Sequence, residues 1–134
     1  MTKAAHKDQA LIAHGAEVLA GMREVCNSLV YAALVTDDGF EVTRVPEATD
    51  GGRFASMASS MQALGDAVAR ELQIGAGEFI IIASENGHVV QLRVPGEPLV
   101  LSALFDNDET LGMALSISRQ SAERLSTYVS TARS

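Results

Sequence analysis

Residues 78–94, EFIIIASENGHVVQLRV, decide the fold. Phe79-Ile80-Ile81-Ile82-Ala83 is a β-prone run that does not alternate with polar residues, so a strand made from it needs cover on both faces. Asn86-Gly87 then interrupts the run as a tight hairpin turn, and His88 to Val94 supplies the returning strand. A second turn, Pro95-Gly96-Glu97-Pro98, leads into another apolar strand, Leu99 to Phe105. Strands joined in sequence by short turns pair antiparallel. The strand at 78–84 must therefore be sandwiched, and the cover has to come from the flanking sequence.

Immediately upstream, the spacing predicts a helix over about Phe54 to Gln73. Its residues Phe54, Met57, Ala58, Met61, Leu64, Gly65, Val68 and Leu72 fall within roughly a third of the helical circumference. Ile74-Gly75-Ala76-Gly77 stops it, Gly being the usual helix terminator. Downstream, a helix over about Asp108 to Thr131 places Leu111, Ala114, Leu115, Ala122, Leu125 and Val129 on one side. Farther upstream lie two more β-prone runs, Leu29 to Thr36 and Phe40 to Val45, split by Asp37-Asp38-Gly39, another hairpin signal. Pro46 to Arg53 reads as a loop. The first helix spans about Lys7 to Ser28, with Leu11, Val18, Met22, Val25 and Leu29 recurring at helical steps. Gly15 and Gly21 weaken it by about 1 kcal/mol each relative to Ala.

The element order is α-β-β-α-β-β-β-α, without internal repeats. Three amphipathic helices can cover both faces of the sheet. The fold class is α+β: a three-layer α/β/α sandwich around a five-stranded, mostly antiparallel sheet.

Bulk properties bound the function. A chain of 134 residues is one domain, 1–134, with its core at about 8–131. Its net charge is −7, and the ten Lys and Arg residues are dispersed. Nucleic acid and anionic membranes need clustered cations, so neither is expected as a partner. No apolar run reaches the roughly 20 residues that span a bilayer, and Met1 to Gln9 does not have the pattern of a signal peptide. Cys26 stands alone and fits a reducing compartment. A cytoplasmic location is the expectation.

With these elements in place, a resemblance emerges. The strand, Asp-Asp-Gly-Phe turn and strand resemble the first hairpin of the roadblock family (dynein light-chain roadblock type, with longin- and profilin-like relatives). The small-residue helix RFASMASSMQALGDAVARELQIG, followed by EFIIIASENGHVVQLRVP, is similar too. LVLSALFDNDETLGMALSISRQSAERL resembles the closing strand, acidic loop and last helix of bacterial members. The resemblance covers about Leu11 to Leu125. It implies sheet order 2-1-5-4-3, with the first and last helices on one face and the middle helix on the other. It also implies a homodimer joined through third strands and middle helices, and association with small GTPases or motor complexes. Bacterial relatives commonly accompany a Ras-like GTPase, and some act on its hydrolysis by remodelling the GTPase's own residues.

Two features of the residues point to the dimer independently. In the resembled fold, Phe79, Ile80, Ile81 and Ile82 form an apolar edge strand without the Lys or Pro that blunts such edges, and a second copy would cover it. On the middle helix, Ser56, Ser60, Ala63 and Ala67 lie opposite the apolar stripe at offsets of four, seven and eleven, where small side chains permit close approach of another helix. A bland solvent face is the competing reading of that stripe.

Chemistry is sparse. Asp106-Asn107-Asp108-Glu109 superficially suggests a calcium loop, but Leu111 and Ile117 stand where its Gly and Glu belong. An acidic turn is the better reading, with Asp108 or Asp106 capping the last helix. His6, His14 and His88 have no ligand-spaced partners, so no metal is expected. Cys26 reads as core, and Gly75 and Gly77 lack the Gly-Lys-Ser/Thr of a phosphate loop. Ser56, Ser59 and Ser60 have no activating His nearby in sequence. No catalytic residue and no cofactor is assigned. Arg53 and Arg70 flank the middle helix and are possible GTPase contacts, since an inserted Arg can stabilise phosphoryl transfer; a solvated surface charge is the plainer role. The leading expectation is a non-enzymatic homodimeric scaffold or regulator of a Ras-like GTPase. The alternative is a small-molecule sensor of profilin-like or longin-like sandwich type, which would need polar groups facing a cavity. An enzyme is the third class.

Overall fold

The structure is a computed structural model that describes residues 4–47 and 52–132. Half of the loop expected over 46–53, residues 48–51, and the extreme ends of the expected domain lie outside them. A short 3-10 turn, Ala5–Lys7, precedes α1 (Gln9–Val25), β1 (Leu29–Thr36), β2 (Glu41–Val45), α2 (Arg53–Glu71), β3 (Ile80–Ser84), β4 (Gly87–Arg93), β5 (Leu99–Phe105) and α3 (Leu111–Ala132). The sheet order is β2-β1-β5-β4-β3, with every neighbouring pair antiparallel. This is the expected element order and strand order.

The sheet divides its residues by the two-residue alternation of a strand. Leu34, Val90, Leu101, Ala103 and Phe105 turn to the layer of α1 and α3, meeting Val18, Leu19, Met22, Ala114, Ala122 and Leu125. Ala33, Val35 and Val100 turn to the other face, where they meet Ala55 and Ala58 of α2. The first core is thick and built of large side chains. The second is thin and rich in alanine.

Local chemistry sets the boundaries. Asp8 caps α1, its Oδ1 accepting from the amides of Ala10 at 3.1 Å and Leu11 at 3.3 Å. Cys26 is extended and ends the helix, so Val25 falls off the buried stripe and is 75% exposed, while Leu29 belongs to β1. In the first hairpin Gly39 has φ +94°, the left-handed conformation its turn requires, and the Thr36 amide donates to the Phe40 carbonyl at 2.8 Å. Phe79 leaves the β-ladder and packs with the α1/α3 core, with Arg119 5.5 Å above its ring. This shortens β3 relative to the expected 78–84.

The cap of α3 corrects an expectation. Neither Asp106 nor Asp108 caps it. Asp106 Oδ1 accepts from the Asp108 amide, tightening the preceding turn, whereas Thr110 Oγ1 accepts from the Met113 amide at 3.2 Å. The cap position falls at Thr110, two residues beyond Asp108, so the two aspartates belong to the preceding turn. Thr110→Ala is expected to lower stability by about 1 kcal/mol, read as a shift in urea midpoint at unchanged m-value; Asp108→Ala is expected to stay within about 0.5 kcal/mol.

Candidate functional site

The larger correction concerns α2. Of its large apolar residues Phe54 packs on the sheet, edge-on to Tyr31 of β1 at 5.0 Å, but most of the rest of the stripe does not. The buried positions are Ala55, Ala58, Gln62 and Ala69, while Met57, Leu64, Val68 and Leu72 are exposed, Leu64 by 67%. Size decides the orientation. Gly65 lies against Ile80 of β3, and a Cβ there would stand 3.0 Å from Ile80 Cδ1. Only small residues let the helix approach that closely, so the bulky stripe rotates outward.

The rotated stripe meets the edge of the sheet. β3 is the terminal strand, Ile80 and Ile81 are half-buried, and Ile82 is 42% exposed. Between α2 and β3 runs an apolar groove of about 430 Å³, lined by Met61, Leu64, Val68, Ile74, Phe79 and Ile80 among others. The two edges of the sheet are unlike. β2 is also terminal, with α1 and the 3-10 turn lying against it. Among the described residues β3 has no neighbour beyond β4.

The small residues singled out from the sequence do not share one environment. Ser60 and Ala63 are exposed and Ala67 is half-buried. Ser56, also exposed, lies beside the molecule's own β1–β2 turn, its Cα 3.7 Å from the position a Cβ on Gly39 would take. Arg53 and Arg70 are exposed at opposite ends of α2.

Polar residues fasten α2 to the sheet, and sequence reasoning passed over them. Gln91 of β4, fully buried, donates from Nε2 to the Ala58 carbonyl at 2.9 Å and to Gln62 Oε1 at 3.2 Å. Gln62 Nε2 donates to Asp66 Oδ1 at 3.2 Å. Arg93 then bridges two carboxylates, with Nη2 2.7 Å from Asp66 Oδ2 and Nη1 2.5 and 2.6 Å from the two oxygens of Asp37. Burial alone would lower the pKa of Arg93; the hydrogen bonds to Asp37 and Asp66 outweigh it and hold the pKa above its ordinary value. The one available signal was a Gln inside the apolar run Val89-Val90-Gln91-Leu92, since a buried amide has to find partners.

Elsewhere the chemistry is structural. His6 stacks on Phe40 at 4.3 Å and His14 on Tyr128 at 3.9 Å. Among the described residues no group of three or more His, Cys, Asp or Glu is placed to hold a metal ion, and no helix is long and apolar enough to cross a membrane. Cys26 is buried and its Sγ donates to Glu109 Oε2 at 3.2 Å. Burial, then that hydrogen bond, pushes the thiol above its ordinary 9.0. A raised thiol pKa adds stability that is complete below about pH 9 and is lost as pH climbs through the folded value. Cys26 is expected to react with a thiol-specific disulfide reagent at pH 8 more than about tenfold slower than in the urea-unfolded chain; equal rates would contradict its burial.

No protein-family model matches the sequence, and no curated protein sequence matches it. Solved structures do. Myxococcus xanthus MglB superposes with a TM-score of 0.84 at 15% identity, over 98% of this chain and 96% of that one. A Roadblock/LC7 domain from Streptomyces avermitilis gives a TM-score of 0.77 at 14% identity, over 84% and 95%. Profilin IB from Acanthamoeba castellanii gives 0.60 at 13%, over 84% and 94%. Side chains at this identity have largely been replaced, and what is shared is the path of the backbone. The sandwich with its edge strand β3 and its single helix α2 on one face is the Roadblock/LC7 fold.

Proposed function

We propose that this chain is a non-enzymatic, homodimeric scaffold or regulator of a small Ras-like GTPase, acting in the cytoplasm as one roadblock-type domain over residues 1–134 with its core at about 8–131. The observation that carries the reading is the apolar face formed by α2 and the unpartnered edge of β3. Pairing two β3 edges about a two-fold axis would extend the sheet, and the outward stripes of the two α2 helices would pack on each other in the same isologous contact. The proposed dimer surface comprises Phe79, Ile80, Ile81 and Ile82 with the outer side of α2. On that side Ser60, Ala63 and Ala67 lie next to Met57, Leu64 and Val68, and Ser56 is at its margin.

The GTPase partner rests on the sequence resemblance to bacterial roadblock members together with the shared fold. Arg53 and Arg70, exposed at the ends of α2, are the proposed contacts. The net charge of −7 favours a GTPase with a basic contact surface, because opposite patches speed encounter. The test is co-elution of the purified protein with a Ras-like GTPase from the same source, loaded with GDP or with a non-hydrolysable GTP analogue. Association in at least one nucleotide state, weakened by R53A/R70A and by added salt, is expected. Absence of association with either form at about 100 μM, a concentration that detects weak complexes, would contradict the assignment.

A further inference from the structure

The helix that carries the exposed stripe is held down in an unusual way. At its N-terminal end α2 packs Phe54 edge-on to Tyr31 at 5.0 Å, but farther along it buries only Ala58, Gln62 and Ala69 with a glycine contact, which offer little apolar area. What spans the remaining distance is a continuous hydrogen-bonded ladder: Gln91 to Gln62, Gln62 to Asp66, Asp66 to Arg93, Arg93 to Asp37. The ladder joins three elements distant in sequence, β4, the middle of α2 and the β1–β2 turn. Its inner end is fully buried at Gln91, and its outer end is partly exposed at Arg93 and Asp37.

The inner end is also incompletely satisfied. Gln91 Oε1 and the hydroxyl of Ser102, its register partner on β5, have no hydrogen-bond partner among the described residues. At the charged end of the ladder Arg93 serves both carboxylates through its planar fork.

We propose that this ladder is a latch that sets the position of α2, and through it the strength of self-association, with Arg93 as the positioning residue. The effect on self-association rests on the dimer reading above; the effect on α2 does not. Releasing the latch frees α2 from the sheet while leaving the α1/α3 core intact, and the stripe of Met57, Leu64 and Val68 loses its fixed alignment with the edge of β3. The outer end is the part that another molecule or a change of ionic strength can reach.

Hydrogen–deuterium exchange and sedimentation equilibrium on Arg93→Gln, Arg93→Lys and Asp66→Asn test this, each alone and in an L64D/V68D background. In both backgrounds Arg93→Gln is expected to raise exchange of α2 amides about tenfold while β1 and β5 keep their protection. Alone, it is also expected to weaken self-association about tenfold. Asp66→Asn should act in the same direction. Arg93→Lys should not restore either property fully, because a single ammonium cannot reproduce the two-carboxylate fork. Unchanged α2 exchange, or faster exchange of α2, β1 and β5 together, would overturn the latch. If the unmodified chain is monomeric, the dimer reading and the link to self-association fail, and α2 exchange still decides whether the ladder holds the helix.

Discussion

Leu64→Asp with Val68→Asp is expected to convert the protein from twice the chain mass to the chain mass in sedimentation equilibrium, with self-association weakened at least about 100-fold. Both side chains are exposed on α2, Val68 by 47%, so a carboxylate at either position is hydrated in the single chain. In the proposed dimer the same carboxylates, two from each protomer, would lie against apolar surface without partners. Burying unpaired charges is among the most costly changes a surface can undergo. Folding of the single chain should hardly notice, with urea stability within about 0.5 kcal/mol per site. Together these outcomes distinguish a docking face from a core face. Lost folding would mean the stripe is core, and unchanged mass would mean that it is idle surface.

The opposite pattern is expected for Phe105→Ala. Phe105 is the largest fully buried side chain; it closes β5 against the cluster that holds Leu19, Met22, Cys26 and Ala114. Removing an aromatic ring from such a site costs about 3–5 kcal/mol, combining lost transfer energy with the cavity left behind. That is a large share of the roughly 5–15 kcal/mol that stabilises a typical domain. The urea midpoint should fall accordingly, and self-association should weaken only as far as the chain unfolds. A loss below about 1 kcal/mol would be incompatible with close packing at the end of β5.

How far the sequence could be read depends on which physical signal each element sends. Element order and layer structure follow from the non-alternating run at Ile80-Ile81-Ile82, from Asp-Gly and Asn-Gly turns, and from helical periodicity, all of them local; the strand order 2-1-5-4-3 is not local and follows only from the resemblance to the roadblock family. The face that α2 turns to the sheet is not legible in its spacing, because periodicity reports that a helix has an apolar side and not which molecule covers it. Here two stripes compete: Met57-Met61-Leu64-Val68, which is large, and Ala55-Ala58-Gln62-Gly65-Ala69, which is small. Steric fit against Ile80 selects the small one, and that requirement is visible only once β3 is known to lie beneath the helix. The ladder escaped for a related reason. Asp37, Gln62, Asp66, Gln91 and Arg93 are spread over more than fifty positions, and each alone reads as an ordinary polar residue. Thr110 displaced the acidic pair as the helix cap because capping depends on one residue of register, which composition does not report.

The reading of this protein as a paired scaffold turns on whether the β3 edge and the outward side of α2 are covered by a second copy. Sedimentation equilibrium of the unmodified protein at about 10 μM, where a specific interface of ordinary size is formed, addresses that directly. The predicted result is twice the chain mass; a single chain that stays soluble with that face bare to water would contradict it.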